Sequence, residues 1–144
     1  MKDLSAASHA VRDAAWFTRM GDGTLPGMLG IEIIEVGAGE LKASLALRDE
    51  LLAPNGYLHA GVVVTLADTA AGYGCVANLP EGAKTFTTIE LKSNFLGTAR
   101  AGRIHAHAVA AHLGRTTQIW DVTVRGEDDA RTIALFRCTQ LIVR

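Results

Sequence analysis

Apolar residues recur along this chain with two distinct periods, and the switches between them mark its elements. Leu4, Ala7, Val11, Ala14, Ala15 and Phe17 fall near helical spacing, which predicts an amphipathic N-terminal helix over about residues 4–20. Gly21, Gly23, Pro26 and Gly27 are expected to stop it. Residues 30–36 (GIEIIEV) read as a strand, with Gly37-Ala38-Gly39 as a turn. Leu41, Ala43, Leu45 and Leu47 then alternate with Glu40, Lys42, Ser44 and Ala46, the pattern of a half-buried strand and the second arm of a hairpin. Residues 60–77 (AGVVVTLADTAAGYGCVA) carry a single charge, Asp68, in eighteen positions. That run is too long for a strand and apolar almost all round, so it reads as a helix buried on most sides, entered through the turn Pro54-Asn55-Gly56. Beyond Pro80-Glu81-Gly82 the alternation returns. Residues 86–95, 103–111, 116–125 and 132–143 are expected strands, separated by turn segments at 97–102, 112–115 and 126–129.

Two strands, one very apolar helix and four more strands have an economical solution: an α+β domain in which a curved antiparallel sheet of five to six strands wraps the central helix. One sheet leaves part of that helix uncovered, so a second subunit is expected to cover the rest. Trp120 and Phe136 read as core or interface packing. At 144 residues, with 49% apolar and 20% charged residues, the chain is expected to be one domain with a real core. A net charge of −1 gives no electrostatic case for nucleic acid or an anionic membrane. Aromatic residues, at 6%, poorly supply base-stacking platforms. Cys75 and Cys138 sit in apolar runs and read as reduced, buried thiols. No secretory leader is visible and no apolar stretch reaches about 20 residues. The expectation is a soluble, cytoplasmic, single-domain protein.

Asp68 is the informative residue. A lone carboxylate in an apolar helix is costly to bury unless it is paired, hydrogen-bonded locally or given a task. Gly61, Thr65, Asp68 and Gly72 form one stripe of small or polar side chains, while Val62, Leu66, Ala70 and Tyr73 lie largely on the other side and serve the core. The segment from Asn55 to Gly61 leads into the helix, whose first turn presents free N–H groups with the positive end of the dipole behind them, a place where an oxyanion can be held. His59 reads there either as a residue satisfied by the backbone or as part of that site. His105 and His107 share a strand face, with His112 after them, but no Asp, Glu or Cys adjoins them in sequence, and they read as surface residues rather than a metal site. Glu90 and Lys92 share a strand face and are expected to meet water as a pair.

Tyr57-Leu58-His59-Ala60-Gly61 followed by Leu66-Ala67-Asp68-Thr69-Ala70 resembles the HGG…(A/V)D signature of hotdog-fold thioesterases of the phenylacetate-degradation (PaaI-like) group. The segment from Thr87 to Leu96 resembles that group's strand after the helix, and Leu113-Gly114-Arg115 its later turn. The likeness runs from about residue 28 to the C-terminus, leaving the N-terminal helix outside it. It implies the hotdog fold and hydrolysis of acyl-CoA thioesters, with an aryl-acetyl or medium-length acyl group, in a homodimer that extends to a homotetramer and holds its sites at subunit interfaces. No cofactor or metal is implied, since coenzyme A enters as part of the substrate.

By the same resemblance, Asp68 is the nucleophile or general base, the N–H of Ala60 polarises the carbonyl with Gly61 beside it, and His59 orients the loop. Thr87 matches a Ser or Thr near the attacking water, contributed by the partner subunit. Asn55 is a second candidate for holding water or carbonyl. Arg100, Arg103 and Arg115, at strand ends, are candidates for the phosphates of coenzyme A, with a solvated rim as the alternative. Phe17, Met28, Leu29, Tyr73 and Phe95 are expected to shape the acyl pocket. Two positions depart from the family pattern: Ala60 stands at the middle glycine of HGG, and Ala53 stands six before the histidine, where many relatives carry Asn or Gln. Both departures suit the alternative of a non-catalytic acyl-CoA or acyl-carrier binder, and a hotdog hydratase or dehydratase ranks below it.

Overall fold

The computed structural model describes Leu4, residues 12–127 and residues 131–144. Its elements run α1 (Ala14–Met20), α2 (Leu25–Leu29), β1 (Glu32–Gly37), β2 (Glu40–Ala46), a 3-10 turn at Asp49–Leu51, α3 (Ala60–Ala77), β3 (Thr85–Phe95), β4 (Arg103–Leu113), β5 (Thr117–Gly126) and β6 (Thr132–Val143). The six strands form one sheet in the order β1-β2-β4-β5-β6-β3, antiparallel throughout. This is the expected α+β arrangement, with all six strands in the sheet and α3 packed against it.

Alternation decides which side of each strand meets the helix. Leu41, Ala43 and Leu45 of β2, Ile104, Ala106 and Ala108 of β4, Trp120, Val122 and Val124 of β5, and Phe136 and Cys138 of β6 are all buried on the inner face. They meet Val63, Leu66, Ala67, Ala70 and Cys75 of α3. Each fully buried large side chain contributes about 1.5–3 kcal/mol, and the small residues of α3 let the sheet lie close. Trp120 and Phe136 are core, as expected, and Cys75 and Cys138 are free and buried. Burial pushes both thiols up to about 12. By length and a mean hydropathy of 1.4, α3 alone would pass for a membrane span, but 56% of it is buried inside the fold, as a core helix is.

Two glycines of α3 permit that packing, with different consequences. A Cβ on Gly74 would lie 2.8 Å from Cη2 of Trp120, and one on Gly72 would lie 2.8 Å from Cζ of Phe86. Trp120 is fully buried, and its indole N–H donates to Gln118 Oε1 at 3.0 Å, so that ring cannot retreat. Phe86 is half-buried on an edge strand and can swing. Alanine gains about 1 kcal/mol of helix propensity at either site, and overpacking a fixed ring costs about 1–3 kcal/mol. Gly74→Ala is therefore expected to lower the thermal midpoint, whereas Gly72→Ala leaves it unchanged or raises it. Equal shifts in the two unfolding curves would refute the assignment.

Among the described residues the N-terminal helix is Ala14–Met20. Asp13 is extended and accepts from the Trp16 N–H at 2.8 Å, so the helix begins at Ala14 rather than near Leu4. Leu4 instead donates its N–H to the Lys84 carbonyl, and residues 5–11 lie outside the described residues. Gly21 caps the helix as expected, but Pro26 and Gly27 do not simply break the chain. Pro26 opens α2, whose first turn needs no N–H from it. Gly27 packs directly on the Gly21 carbonyl, where any side chain would collide. Thr18 Oγ1 accepts from the Ile33 N–H at 2.9 Å and fixes α1 to β1.

Candidate active site

The loop before α3 is built to deliver a helix start. Leu52 and Leu58 bridge, the Tyr57 N–H donates to Asn55 Oδ1 at 3.2 Å, and Gly56 takes φ 81° at the tip. Asn55 is thus spent on the turn and exposed. His59 is the N-cap, and its Nδ1 accepts from the Gly61 N–H at 2.9 Å. That contact orders the first turn of the helix. It also occupies the Gly61 N–H, so among the described residues the Ala60 N–H is the exposed first-turn donor without a cap. Thr65 turns its hydroxyl back to the Gly61 carbonyl at 2.7 Å, leaving Asp68 as the polar group of the stripe that faces the sheet edge.

Asp68 is half-buried. Burial raises its carboxyl above the ordinary value of 3.8, and a hydrogen bond from Thr88 lowers it again in part. Thr88 Oγ1 lies 3.3 Å from Asp68 Oδ1 and 2.8 Å from Gln140 Oε1. Gln140 is fully buried, with its Nε2 donating to Cys138 Sγ at 3.3 Å. Thr88 and Gln140 are the residues that sequence reasoning missed. The signal existed: Phe136, Cys138, Gln140 and Ile142 alternate, and three of the four are inward-facing apolar residues, so the glutamine had to point inward too. Thr87, the family-matched threonine, is exposed on the other face of β3 opposite Leu141, while Thr88 pairs with Gln140.

The arginines separate. Arg100 is exposed and stacks over the Tyr57 ring at 5.2 Å, in the loop whose Thr98 Oγ1 accepts the Leu58 N–H, so it sits beside the start of α3. Arg103 is committed within the fold: Nη2 lies 3.1 Å from Glu32 Oε2 and Nε donates to Ser44 Oγ at 2.8 Å. Arg115 lies at the β4–β5 turn, near the far end of α3, where Gln118 bonds the Asn78 carbonyl. Phe17 is buried core against Trp16 and Tyr73 rather than pocket lining, whereas Met28 and Phe95 are exposed.

Strand pairing also gives the histidines partners that sequence distance hid. His107 Nε2 lies 2.8 Å from Glu40 and His105 lies 4.0 Å from Glu127, on the outer face of the sheet. They line a cleft of about 220 Å³ with Ile34, Lys42, Thr123 and Arg125. Lys42 pairs with Glu35, each histidine lies against a carboxylate, and no Asp or Glu lines the cleft itself, so it lacks a carboxylate like Asp68. Glu90 and Lys92 are both exposed, but Glu90 meets Thr139 at 3.4 Å and the charge of Arg137 rather than Lys92.

Comparison with known proteins follows the same lines. Residues 55–133 match the family described as the thioesterase superfamily. A 1,4-dihydroxy-2-naphthoyl-CoA hydrolase of Listeria monocytogenes is 34% identical over 111 residues, covering 77% of this chain and 89% of its own. Among solved structures, a Pseudomonas aeruginosa thioesterase superposes with a TM-score of 0.86 at 29% identity, covering 94% of this chain and 96% of that one. The Escherichia coli PaaI protein of the phenylacetic acid degradation operon superposes with a TM-score of 0.78 at 25% identity, over 91% of this chain and 94% of that one. The family match over more than half of the chain and the superposition with these structures place it: the chain belongs to the thioesterase superfamily, as a hotdog-fold, PaaI-like thioester hydrolase.

Proposed function

We propose that this protein hydrolyses acyl-CoA thioesters with an aromatic acyl group, using Asp68 as the general base. The observation that carries the reading is the half-buried carboxyl of Asp68, raised by burial and held by hydroxyl rather than by a cation. A raised carboxylate is a better proton acceptor from water than an ordinary one. A thioester is already an activated acyl group, so water needs only to be aimed and one oxyanion stabilised. The aromatic preference is supported by the hydrolase relative from Listeria monocytogenes, whose substrate is a naphthoyl-CoA. Arg100, exposed beside the helix start, is the cation best placed for a coenzyme A phosphate.

The site needs two copies of the chain. Asp68 lies eight positions along the helix from Ala60, about 12 Å of rise, too far for one carbonyl to touch both. A dyad-related copy brings the Ala60 N–H of one chain to Asp68 of the other. The free edge supports this pairing: β3 ends the sheet, and Ile89, Leu91, Phe95 and Leu96 on it and just beyond it are 42–62% exposed.

Thiol release from a panel of aromatic, short and long acyl-CoAs, alongside sedimentation analysis, tests the proposal. Turnover is expected, fastest with aromatic acyl groups, from a species of at least two chains. Acyl-CoA bound without thiol release would overturn hydrolysis, and an active monomer would overturn the shared site.

A further inference from the structure

Thr88 has one proton and two recorded acceptors. Its Oγ1 lies 2.8 Å from Gln140 Oε1 and 3.3 Å from Asp68 Oδ1, and a hydroxyl donates once while accepting through its lone pairs. The shorter contact claims the proton. The longer one is then satisfied when Asp68 carries a proton of its own and donates it to Thr88. For an ionised Asp68 the chain must reverse: Thr88 donates to the carboxylate, and what faces its lone pair must be a donor. Gln140 supplies that donor by half a turn of its carboxamide, which brings Nε2 to Thr88 and Oε1 to Cys138. The far end tolerates either sense, because a thiol both accepts and donates weakly, and Cys138 stays protonated with its pKa pushed up to about 12.

We propose that Gln140 is a positioning residue for thioester hydrolysis, whose carboxamide turns as Asp68 gains and loses its proton, so that the Asp68–Thr88–Gln140–Cys138 chain is fully hydrogen-bonded in both states. The proposal rests on the reading of Asp68 as the base. The proton moves only between water and Asp68, and Thr88 keeps its own. The surroundings make this chain the means by which the fold tunes that exchange. On β3 the group at Asp68 is Thr88, on β6 it is Gln140 with Cys138, and β5 sets Gln118 and Trp120 beside them. Cys75 is the further titratable group, on α3 itself, while Glu90 and Asp121 are felt only through Cys138. Among the described residues no cation pairs with Asp68. Because Gln140 is fully buried, an unmatched amide or hydroxyl there would cost the desolvation of that group.

The variants shift the titration in opposite directions. Gln140→Met takes a partner from Thr88 in both states, but the buried hydroxyl proton it strands when Asp68 is protonated is a larger loss than the lone pair it strands when Asp68 is ionised, so the acid limb of kcat/KM moves to lower pH, by up to about one unit. Thr88→Val removes the donor to the carboxylate and moves the limb to higher pH by about as much. Thr88→Ser restores the wild-type midpoint. Adding Gln140→Met to Thr88→Val produces no further shift, because the lever is gone. A purely packing role would lower activity without this sign pattern. In the unmodified protein, the side-chain amide resonances of Gln140 are expected to move with pH at the midpoint of the activity profile and to stay flat in Asp68→Asn. This NMR measurement decides the matter even where Gln140→Met fails to fold. Resonances indifferent to pH in an enzyme that Asp68→Asn inactivates, or shifts of the same sign in both variants, overturn the relay alone. Full activity in Asp68→Asn overturns the base instead.

Discussion

Asp68→Asn is expected to lower kcat for thioester hydrolysis by about 10²–10⁴-fold while leaving the fold at least as stable at neutral pH. The two halves of that result have one cause. Burial, opposed only in part by the Thr88 hydroxyl, raises the Asp68 carboxyl above its ordinary 3.8. In the folded state it therefore holds its proton to higher pH than in the unfolded chain. Between the ordinary value and the raised one the native state binds more protons, so stability falls as pH rises through that window. Above it, the wild type carries a partly desolvated charge that no cation compensates. Asparagine removes the charge, keeps the shape and still accepts from Thr88, so its thermal midpoint at pH 7 is expected to equal or exceed that of the wild type, and to lose that advantage below the window. Activity has the opposite dependence, since only the ionised carboxylate takes a proton from water: kcat/KM rises with pH through a midpoint above 3.8. An Asp68→Asn protein that turns over acyl-CoA at the wild-type rate would remove Asp68 from the chemistry. A variant both inactive and markedly less stable at neutral pH would make the carboxylate a structural group.

The trade between charge and stability explains why Asp68 stood out in the sequence. A single charge in eighteen otherwise apolar or small positions has few bland explanations, and the bounds of its helix were legible because apolar content on every side, a Pro-Asn-Gly entry and a Pro-Glu-Gly exit all agree. Its partners were harder to read for a reason of parity. Thr87 and Thr88 are adjacent, and a strand sends them to opposite faces. Which one meets α3 depends on the pairing of Phe86 with Ile142 and Thr88 with Gln140, and on the irregularity that follows between Thr88 and Glu90. The resemblance assigned Thr87 to the partner subunit's site and is silent on the partner of Asp68 within the chain; the register turns Thr88 inward to it. The same limit applies to the outer face, where Glu40 reaches His107 only because β2 and β4 pair with Lys42 opposite His107. The helix start was half legible. Its N–H groups were expected, but only the ring of His59 against the Gly61 N–H shows which of them is spent and which is open. Asn55, attractive as a replacement for the polar residue absent at Ala53, is fixed in its own turn. At the N-terminus Asp13 caps the helix at Ala14, and the expectation for residues 5–11 lies outside the described residues.

Ala60→Pro isolates that open donor. Proline is tolerated at the first position of a helix, where the N–H has no intrahelical partner, and it demands an extended residue before it. His59 already has φ −65° and ψ 129°, so the backbone accepts the change without moving and the cap on Gly61 survives. The substitution therefore deletes one hydrogen-bond donor and little else. If that N–H holds the developing oxyanion, kcat falls by about 10²–10³-fold, with unfolding midpoint and acyl-CoA affinity little changed. Mixing then reports which chain supplies what. Each variant on its own is expected to retain only the residual activity given above. When subunits are exchanged, a shared site gives one pocket both defects and the other neither, so activity reappears. Were the donor and the carboxylate of one site on the same chain, every pocket in the mixed dimer would carry one defect and the mixture would stay as inactive as its parents. Recovery on mixing is the expected result, because about 12 Å of helix separates the two groups within a chain and only a second copy can bring them to one carbonyl.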